Sequence, residues 1–180
     1  MNYKQILFYL ILLSSLNILN ALESKQLAKT KKIAYIVSDV NIPFWKIMSL
    51  GIKDSAQKLN YKVKVYSSNN DKKTEIQNTI TAIKNKFDAI VLSPINSSSA
   101  VTILKFAKSA KIPVVISDIG TDRGEYLSYI SSNNEEGAYK IAQILTREMQ
   151  KLGLDKNGSV GIVAIPQKRA NGKDRTKGFM

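Results

Sequence analysis

A chain of 180 residues, 44% of them hydrophobic, has room for one domain plus part of another and can form a substantial core. Its formal charge of +13 favours acidic partners in principle, but the lysines from Lys29 to Lys111 are dispersed over expected helix faces and strand starts, which describes a solvated basic surface and no nucleic-acid groove. Without cysteine there is neither a disulfide framework nor a thiolate metal site, and without histidine a His-based triad, a His metal centre and an imidazole base are excluded.

Lys4 stands ahead of the apolar block Ile6 to Leu13, and polar Ser14, Ser15, Asn17 and Asn20 lead to Ala21. This is the layout of a secretory signal peptide over residues 1–21, although Leu19 at the minus-three position fits less well than a small residue. An uncleaved membrane anchor is the alternative, for which the apolar block is short. Export follows under either reading. Residues 22–31, polar and lysine-rich, are expected to form a flexible lead.

From Lys32 onward strand and helix signals alternate. Ile33 to Val37 is an apolar run of strand length, and Pro43 opens a helix whose expected buried face is Phe44, Ile47, Met48, Ile52, Ala56 and Leu59, with Asn60 ending it. Tyr61 to Ser67 is a second strand. Asp71 caps a second helix with Ile76, Ile80 and Ile83 on its inner face. Ala89 to Leu92 is a third strand closed by Ser93 and Pro94, and Asn96 to Ser99 open a third helix through Val101, Leu104, Phe106, Ala107 and Ala110. Ile112 to Ser117 is a fourth. The continuous apolar character of the first, third and fourth strands predicts cover on both faces and hence a parallel sheet. After a turn-rich loop from Asp118 to Gly124, Leu127 to Ile130 is a shorter strand. Asn133 or Asn134 caps a helix with Gly137, Ile141, Ile144, Leu145 and Met149 in its stripe, terminated by Gly153. Ser159 to Ile165 is expected to be a further buried strand. The order predicts a three-layer α/β sandwich with a mainly parallel sheet.

In open sheets of this kind ligands bind beyond the carboxyl ends of the strands, which places Asp39, Asn41, Phe44 and Trp45 where a site would lie. The run Tyr35 to Trp45, Ser93-Pro94, Ile112 to Val115 with Asp118 behind it, Tyr129 to Gly137, and Arg175 to Phe179 resemble, in order and spacing, the periplasmic sugar-binding proteins of the ribose-binding type. The resemblance runs from about Lys32 to Met180. It implies two lobes closing over a small ligand: residues 32–127 as the N-terminal lobe, and residues 128–180 as the crossover and an incomplete start of the second. It also implies Phe44 and Trp45 as aromatic walls, Asn41 and Asp118 on ligand hydroxyls, Ser93 in a position where some relatives use Asn, and Lys173 and Arg175 as contacts near the end. An aromatic plane suits the C–H face of a sugar ring, and an ionised Asp118 accepts two strong hydrogen bonds. Ile119 stands where the ribose-binding pattern has Arg, and Lys173 keeps the charge of an arginine without its fork.

Packing alternatives stand beside these roles. Adjacent helical residues point about 100° apart, so one of Phe44 and Trp45 can be core alone. Asn41 can shape its loop, Asp118 its turn, Ser93-Pro94 a turn only, Arg175 an ion pair, and Lys173 can be solvated.

The resemblance therefore implies an exported periplasmic receptor for a sugar or sugar-like molecule, with no cofactor and no nucleic acid. Its partner would be a membrane permease of the ABC type or, alternatively, a sensor kinase. A carboxylate-based enzyme using Asp39 and Asp118 is the remaining rival, but no nucleophile elbow, Walker lysine motif or dinucleotide fingerprint is present. Since members of that family continue well beyond this length, the chain is expected to supply one wall of a cleft and to bind weakly or not at all by itself.

Overall fold

The computed structural model describes residues 30–154 and 156–180, together with Tyr3 and Gln5. The expected signal peptide, those two residues apart, and residues 22–29 of the lead lie outside this set. Two units are distinguished, Met1–Lys31 and Lys32–Met180, and the sheet belongs to the second. Among the described residues no helix is long and apolar enough to cross a membrane.

The elements are β1 (Lys32–Val37), α1 (Pro43–Lys58), β2 (Lys62–Ser67), α2 (Lys72–Lys84), β3 (Ala89–Ser93), α3 (Ser97–Ser109), β4 (Val114–Ser117), β5 (Ser128–Ile130), α4 (Asn134–Lys151) and α5 (Ala170–Phe179). All five strands form one sheet in the order β2-β1-β3-β4-β5, and every neighbouring pair is parallel. One row across it reads Tyr66, Ile36, Leu92, Ile116, Tyr129. The chain steps one way from β1 to β2 and then the other way to β3. Crossovers of constant hand then set the intervening helices on opposite faces.

That explains the uninterrupted apolar strands, because alternate residues serve two cores. Ala34, Ile36, Ile90, Leu92, Val114 and Ile116 pack with Ala82 of α2 and Ala100, Ile103, Leu104 and Ala107 of α3. On the other face Tyr35 and Val37 pack with Trp45 of α1 and Ile119, joined by Met48, Ile52 and Val91.

The caps follow from local chemistry. Pro43 occupies the first turn of α1, where its missing N–H costs nothing. Asp71 accepts from the Thr74 amide (2.8 Å), Asn96 makes a capping box with Ser99, and Asn133 accepts from the Glu136 amide (3.1 Å). Asn60 and Gly153 follow their helices with φ of 57° and 69°, the left-handed conformation that ends a helix.

Several expected faces are rotated or uncovered. The buried stripe of α1 is Trp45, Ser49 and Ala56, whereas Phe44, Ile47 and Leu59 are exposed, so the stripe begins one residue later than the apolar count suggested. In α2 the fully buried positions are Glu75, Thr79 and Ala82, beside the expected Ile76, Ile80 and Ile83. Phe106 of α3 is exposed, and Ile103 takes the inward place. The stripe of α4 keeps its helical spacing, but Ile141, Ile144 and Leu145 are exposed and only Ala138 is buried. Residues 159–165 form no strand, because no described residue pairs with them, and Val160, Ile162, Val163 and Ile165 stay exposed.

Candidate functional site

The reversal of strand order between β1 and β3 opens a crevice at their carboxyl ends. Loops after β1, β2, β3 and β4 converge there and are tied to one another. The Ser38 amide donates to Ser93 O (3.0 Å) and the Asn70 amide to Ser38 O (2.8 Å). Asp39 accepts from the Asn41 amide (2.9 Å) and from Asn70 Nδ2 (3.2 Å), so it braces the loops after β1 and β2. Asn41 itself is exposed on that rim.

Asp118 is the most constrained residue of the rim. At the end of β4 its backbone turns to φ 63°, a left-handed conformation that side chains other than Asn and Asp enter rarely. The edge strand holds it there: its amide donates to Ile130 O (2.9 Å) and its carbonyl accepts from the Tyr129 hydroxyl (2.9 Å). Asn171 Nδ2 donates to Asp118 Oδ2 (2.9 Å). Burial pushes the carboxyl above the usual carboxylate range, offset in part by the Asn171 bond and by the charges of Arg175 and Arg169. A half-buried carboxylate flanked by guanidinium groups is a directed hydrogen-bond acceptor.

The two expected aromatic walls part company. Phe44 is 51% exposed, whereas Trp45 is 3% exposed and packs with Tyr35, Val37 and Ile119; their rings meet edge to face at 4.8 Å. Trp45 therefore supports Phe44 from inside the core. Ser93 is likewise placed inward. Its Oγ lies between the Tyr35 hydroxyl (3.0 Å) and Ser117 Oγ (2.7 Å), fully buried, so the expected ligand contact is replaced by a hydroxyl relay between strands. The Tyr35 phenol is pushed up to about 12, chiefly by burial, with the Ser93 bond opposing and the Asp118 charge adding to it. Ile119 is wholly buried in the same core. Lys173 is exposed on α5. Arg175 Nε donates to Asn134 Oδ1 (2.8 Å) and Lys177 pairs with Glu135 (2.8 Å), which fastens α5 to the start of α4.

Two groups went unread in the sequence. Asn171 had no spacing signal, since it lies in a polar run between better-matched positions. Glu75, a carboxylate on a helix with no sequence signal to single it out, is fully buried and its Oε1 accepts from the Ile95 amide (2.8 Å) in the loop after β3. Its Oε2 has no hydrogen-bond partner among the described residues. Burial raises its carboxyl above the usual range, with the Ser99 hydroxyl and the Ile95 amide offsetting this in part. Among the described residues no acidic cluster is arranged to hold a metal ion.

A cavity of about 560 Å³ lies elsewhere, between α4, residues 161–165 and α5. Ile141, Ile162, Val163, Ile165 and Phe179 line it, with Arg175 and Asn134 also on its wall. It borders the uncovered α4 stripe. Its apolar wall of Ile141, Ile162, Val163, Ile165 and Phe179 continues the uncovered α4 stripe, while Ser132, Asn133, Asn134, Arg175 and Thr176 line the rest.

The sequence profile described as "Periplasmic binding protein domain" matches residues 33–180. The ribose import binding protein of Escherichia coli (strain K12) is 33% identical over 110 residues, 61% of this chain and 37% of that protein. The D-apiose import binding protein of Actinobacillus succinogenes is 33% identical over 122 residues, 67% of this chain and 39% of that protein. Across six such curated relatives the chain spans 37% to 47% of the relative's length. A Mycobacterium smegmatis crystal structure in complex with β-D-fucofuranose superimposes with a TM-score of 0.73 at 19% identity, over 83% of this chain and 50% of that one, which is likeness of fold.

Proposed function

The chain belongs to the periplasmic binding protein domain family, and from that premise we propose that it is the ligand-binding part of an exported solute receptor that takes a sugar and delivers it to a membrane importer of the ABC type. The observation that carries this reading is the Asp118 carboxylate, held at a strand end in a left-handed backbone and flanked by Arg169 and Arg175. Its sheet also presents exposed Phe44 at the carboxyl end of β1. Asp118 accepts ligand hydroxyls, Phe44 covers an apolar ring face, and Asn41 on the same rim adds a polar contact. Arg175 and Lys173 belong to the wall that closes on the ligand, the former already seated on Asn134. Relatives named as import binding proteins favour transport over sensing. No step of this function breaks a covalent bond. The location is periplasmic, reached through the N-terminal segment.

Calorimetric titration of the intact two-lobed receptor, this chain together with the rest of the second lobe that the family implies, with D-ribose, D-apiose, L-arabinose, D-glucose and myo-inositol tests the reading. Saturable binding of at least one, weakened about tenfold or more in Asp118→Ala, is expected for a charged acceptor bond of 1.5–3 kcal/mol. Absence of binding to all five, or full affinity in Asp118→Ala, overturns it.

A further inference from the structure

Scattered along the sequence, many lysines of residues 32–127 are gathered by the topology. Every strand is parallel, so the amino ends of all five lie along one side of the sheet, opposite the crevice. Lys62 opens β2 beside Lys32 of β1, Lys84 and Lys86 stand at the passage from α2 to β3, and Lys108 and Lys111 at the passage from α3 to β4. The carboxylates on this side are each engaged: Asp54 pairs with Lys58 (2.7 Å), Glu125 pairs with Lys108, and Asp88 accepts from the Lys32 amide (2.7 Å). Lys62, Lys84, Lys86 and Lys111 are exposed and have no ion pair among the described residues.

Some of these lysines have a local reason. Lys62 guards the edge strand β2, and Lys84 and Lys108 complement the negative ends of their helices. Lys86 and Lys111 need another. They follow α2 and α3 with φ of 52° and 56°, the left-handed position where glycine ends a helix freely and a lysine enters only against strain. On the same side, Leu59 and Tyr61 are exposed in the loop leading into β2, and Tyr126 and Leu127 in the loop leading into β5, with Leu59 66% and Leu127 75% accessible. Lys111, Pro113 and Tyr126 line a hollow of about 360 Å³ there, together with the paired Lys108 and Glu125.

We propose that this side of the sheet is a docking face for a bilayer bearing anionic lipid, with Lys86 and Lys111 over the headgroups and Leu59 and Leu127 entering the interface at its two edges. The charge and the exposed apolar groups of this side carry the inference, independently of the sugar reading. Neighbouring strands are about 5 Å apart, so the charges at the starts of β2, β3 and β4 spread over roughly 15 Å, a front that meets more than one headgroup. All bases from residue 32 to residue 122 are lysines. A lysine is a point charge on a flexible stem, suited to a fluid layer of phosphates, whereas fixed recognition of one phosphate favours the arginine fork. Exposed leucine and tyrosine among the lysines add the apolar contact that holds a peripheral protein at the interface. The hollow seats one headgroup, with its charge supplied by Lys111, because Lys108 already serves Glu125.

Docking by this side fixes an orientation. β1 is six residues long, so the crevice lies roughly 20 Å away at the opposite ends of the strands and faces solvent. A receptor held in this way is open to capture its ligand, and handing the ligand on requires release from the bilayer.

Vesicle flotation of the intact two-lobed receptor, recovered from the exported fraction, tests the face. Vesicles of phosphatidylcholine with phosphatidylglycerol are compared with vesicles of phosphatidylcholine alone. The variants are Lys86→Gly with Lys111→Gly, Lys86→Arg with Lys111→Arg, and Lys72→Gln with Lys73→Gln. Wild type should partition to the anionic vesicles, scarcely to the neutral ones, and be released by salt. Glycine suits the left-handed backbone, so the first pair should unfold at higher urea than wild type while its partition falls roughly 25-fold, at about fivefold per lysine. A role in ending the helices alone would raise stability and leave partition unchanged. The arginine pair should keep its binding. Lys72 and Lys73 open a helix of 13 residues and so lie roughly 20 Å from its other end, and their loss of the same charge should change partition by less than about twofold. Equal partition of wild type to both vesicles, equal losses in the glycine and glutamine pairs, or no partition at all overturns the inference. Displacement by free glycerol 1-phosphate, or tighter binding of a DNA duplex through the same lysines, also overturns it. Calorimetric sugar affinity should be the same in all three pairs as in wild type, so failure of the docking face leaves the receptor reading standing.

Discussion

Replacing Glu75 probes how the loop after β3 is held, because a fully buried carboxylate accepts the Ile95 amide at 2.8 Å and Ile95 in turn accepts Arg169. In Glu75→Ala the Ile95 N–H is left buried without an acceptor, about 1–3 kcal/mol, and one buried methylene is lost at about 0.8 kcal/mol, so the cost should be roughly 2–4 kcal/mol. Glu75→Gln keeps the acceptor and removes the charge. The folded carboxyl is raised from its ordinary 4.5, so the folded state holds the proton more tightly than the unfolded one. The contribution of Glu75 to stability is then fully present below its unfolded value and is lost as pH rises through the folded value. Glu75→Gln has no such loss, so its stability relative to wild type should improve from about pH 4.5 upward and level off above the folded value. Urea unfolding at about pH 4.5, about pH 6 and about pH 7.5 reads both effects. If the wild-type and Gln curves keep a constant separation across that range, or if Ala costs less than about 1 kcal/mol, the buried carboxylate does not anchor this loop.

A Cβ on Gly178 would overlap the Glu135 carbonyl, so Gly178→Ala should cost about 1–3 kcal/mol and speed amide exchange in both α4 and α5; unchanged exchange would contradict the close approach. Trp45→Ala should lose about 3–5 kcal/mol in a denaturant melt, while Phe44→Ala should leave stability within about 1 kcal/mol and weaken sugar binding, and equal effects would mean that the core and rim assignments are wrong.

The sheet was legible because its signals are local. Unbroken apolar runs in β1, β3 and β4 announced cover on both faces, and Asp71, Asn96 and Asn133 announced helix starts by their cap chemistry. Positions at strand ends were legible for the same reason, since Asp118 follows directly on β4 and Phe44 on the loop after β1. What failed were questions of direction. Ser93 and Trp45 lie beside the rim in sequence, but the strand alternation and the helix phase turn both inward. Glu75 was hidden because a carboxylate in a helix reads as solvated, and only the Ile95 amide explains its burial. The apolar count along α4 and residues 159–165 predicted burial that the structure does not show, because burial needs a surface to pack on and none of the described residues covers them.

The backbone at Asp118 explains why that carboxylate stands at the crevice while its neighbours are buried. Glycine would enter the left-handed conformation with less strain, about 1–3 kcal/mol less by the usual cost of such backbones. An Asp held there by Tyr129 and the Ile130 carbonyl has its side chain aimed by the fold before any ligand arrives, which reduces the ordering cost of binding. Ser117 and Ile119 on either side are buried, one in the relay with Ser93 and Tyr35, the other against Trp45. The left-handed turn is what separates them: two adjacent side chains go inward, and the one between them is left at the edge of the crevice, where Asn171 meets it. What the carboxylate presents to the crevice then depends on this turn and on which residue the 168–171 segment brings to it.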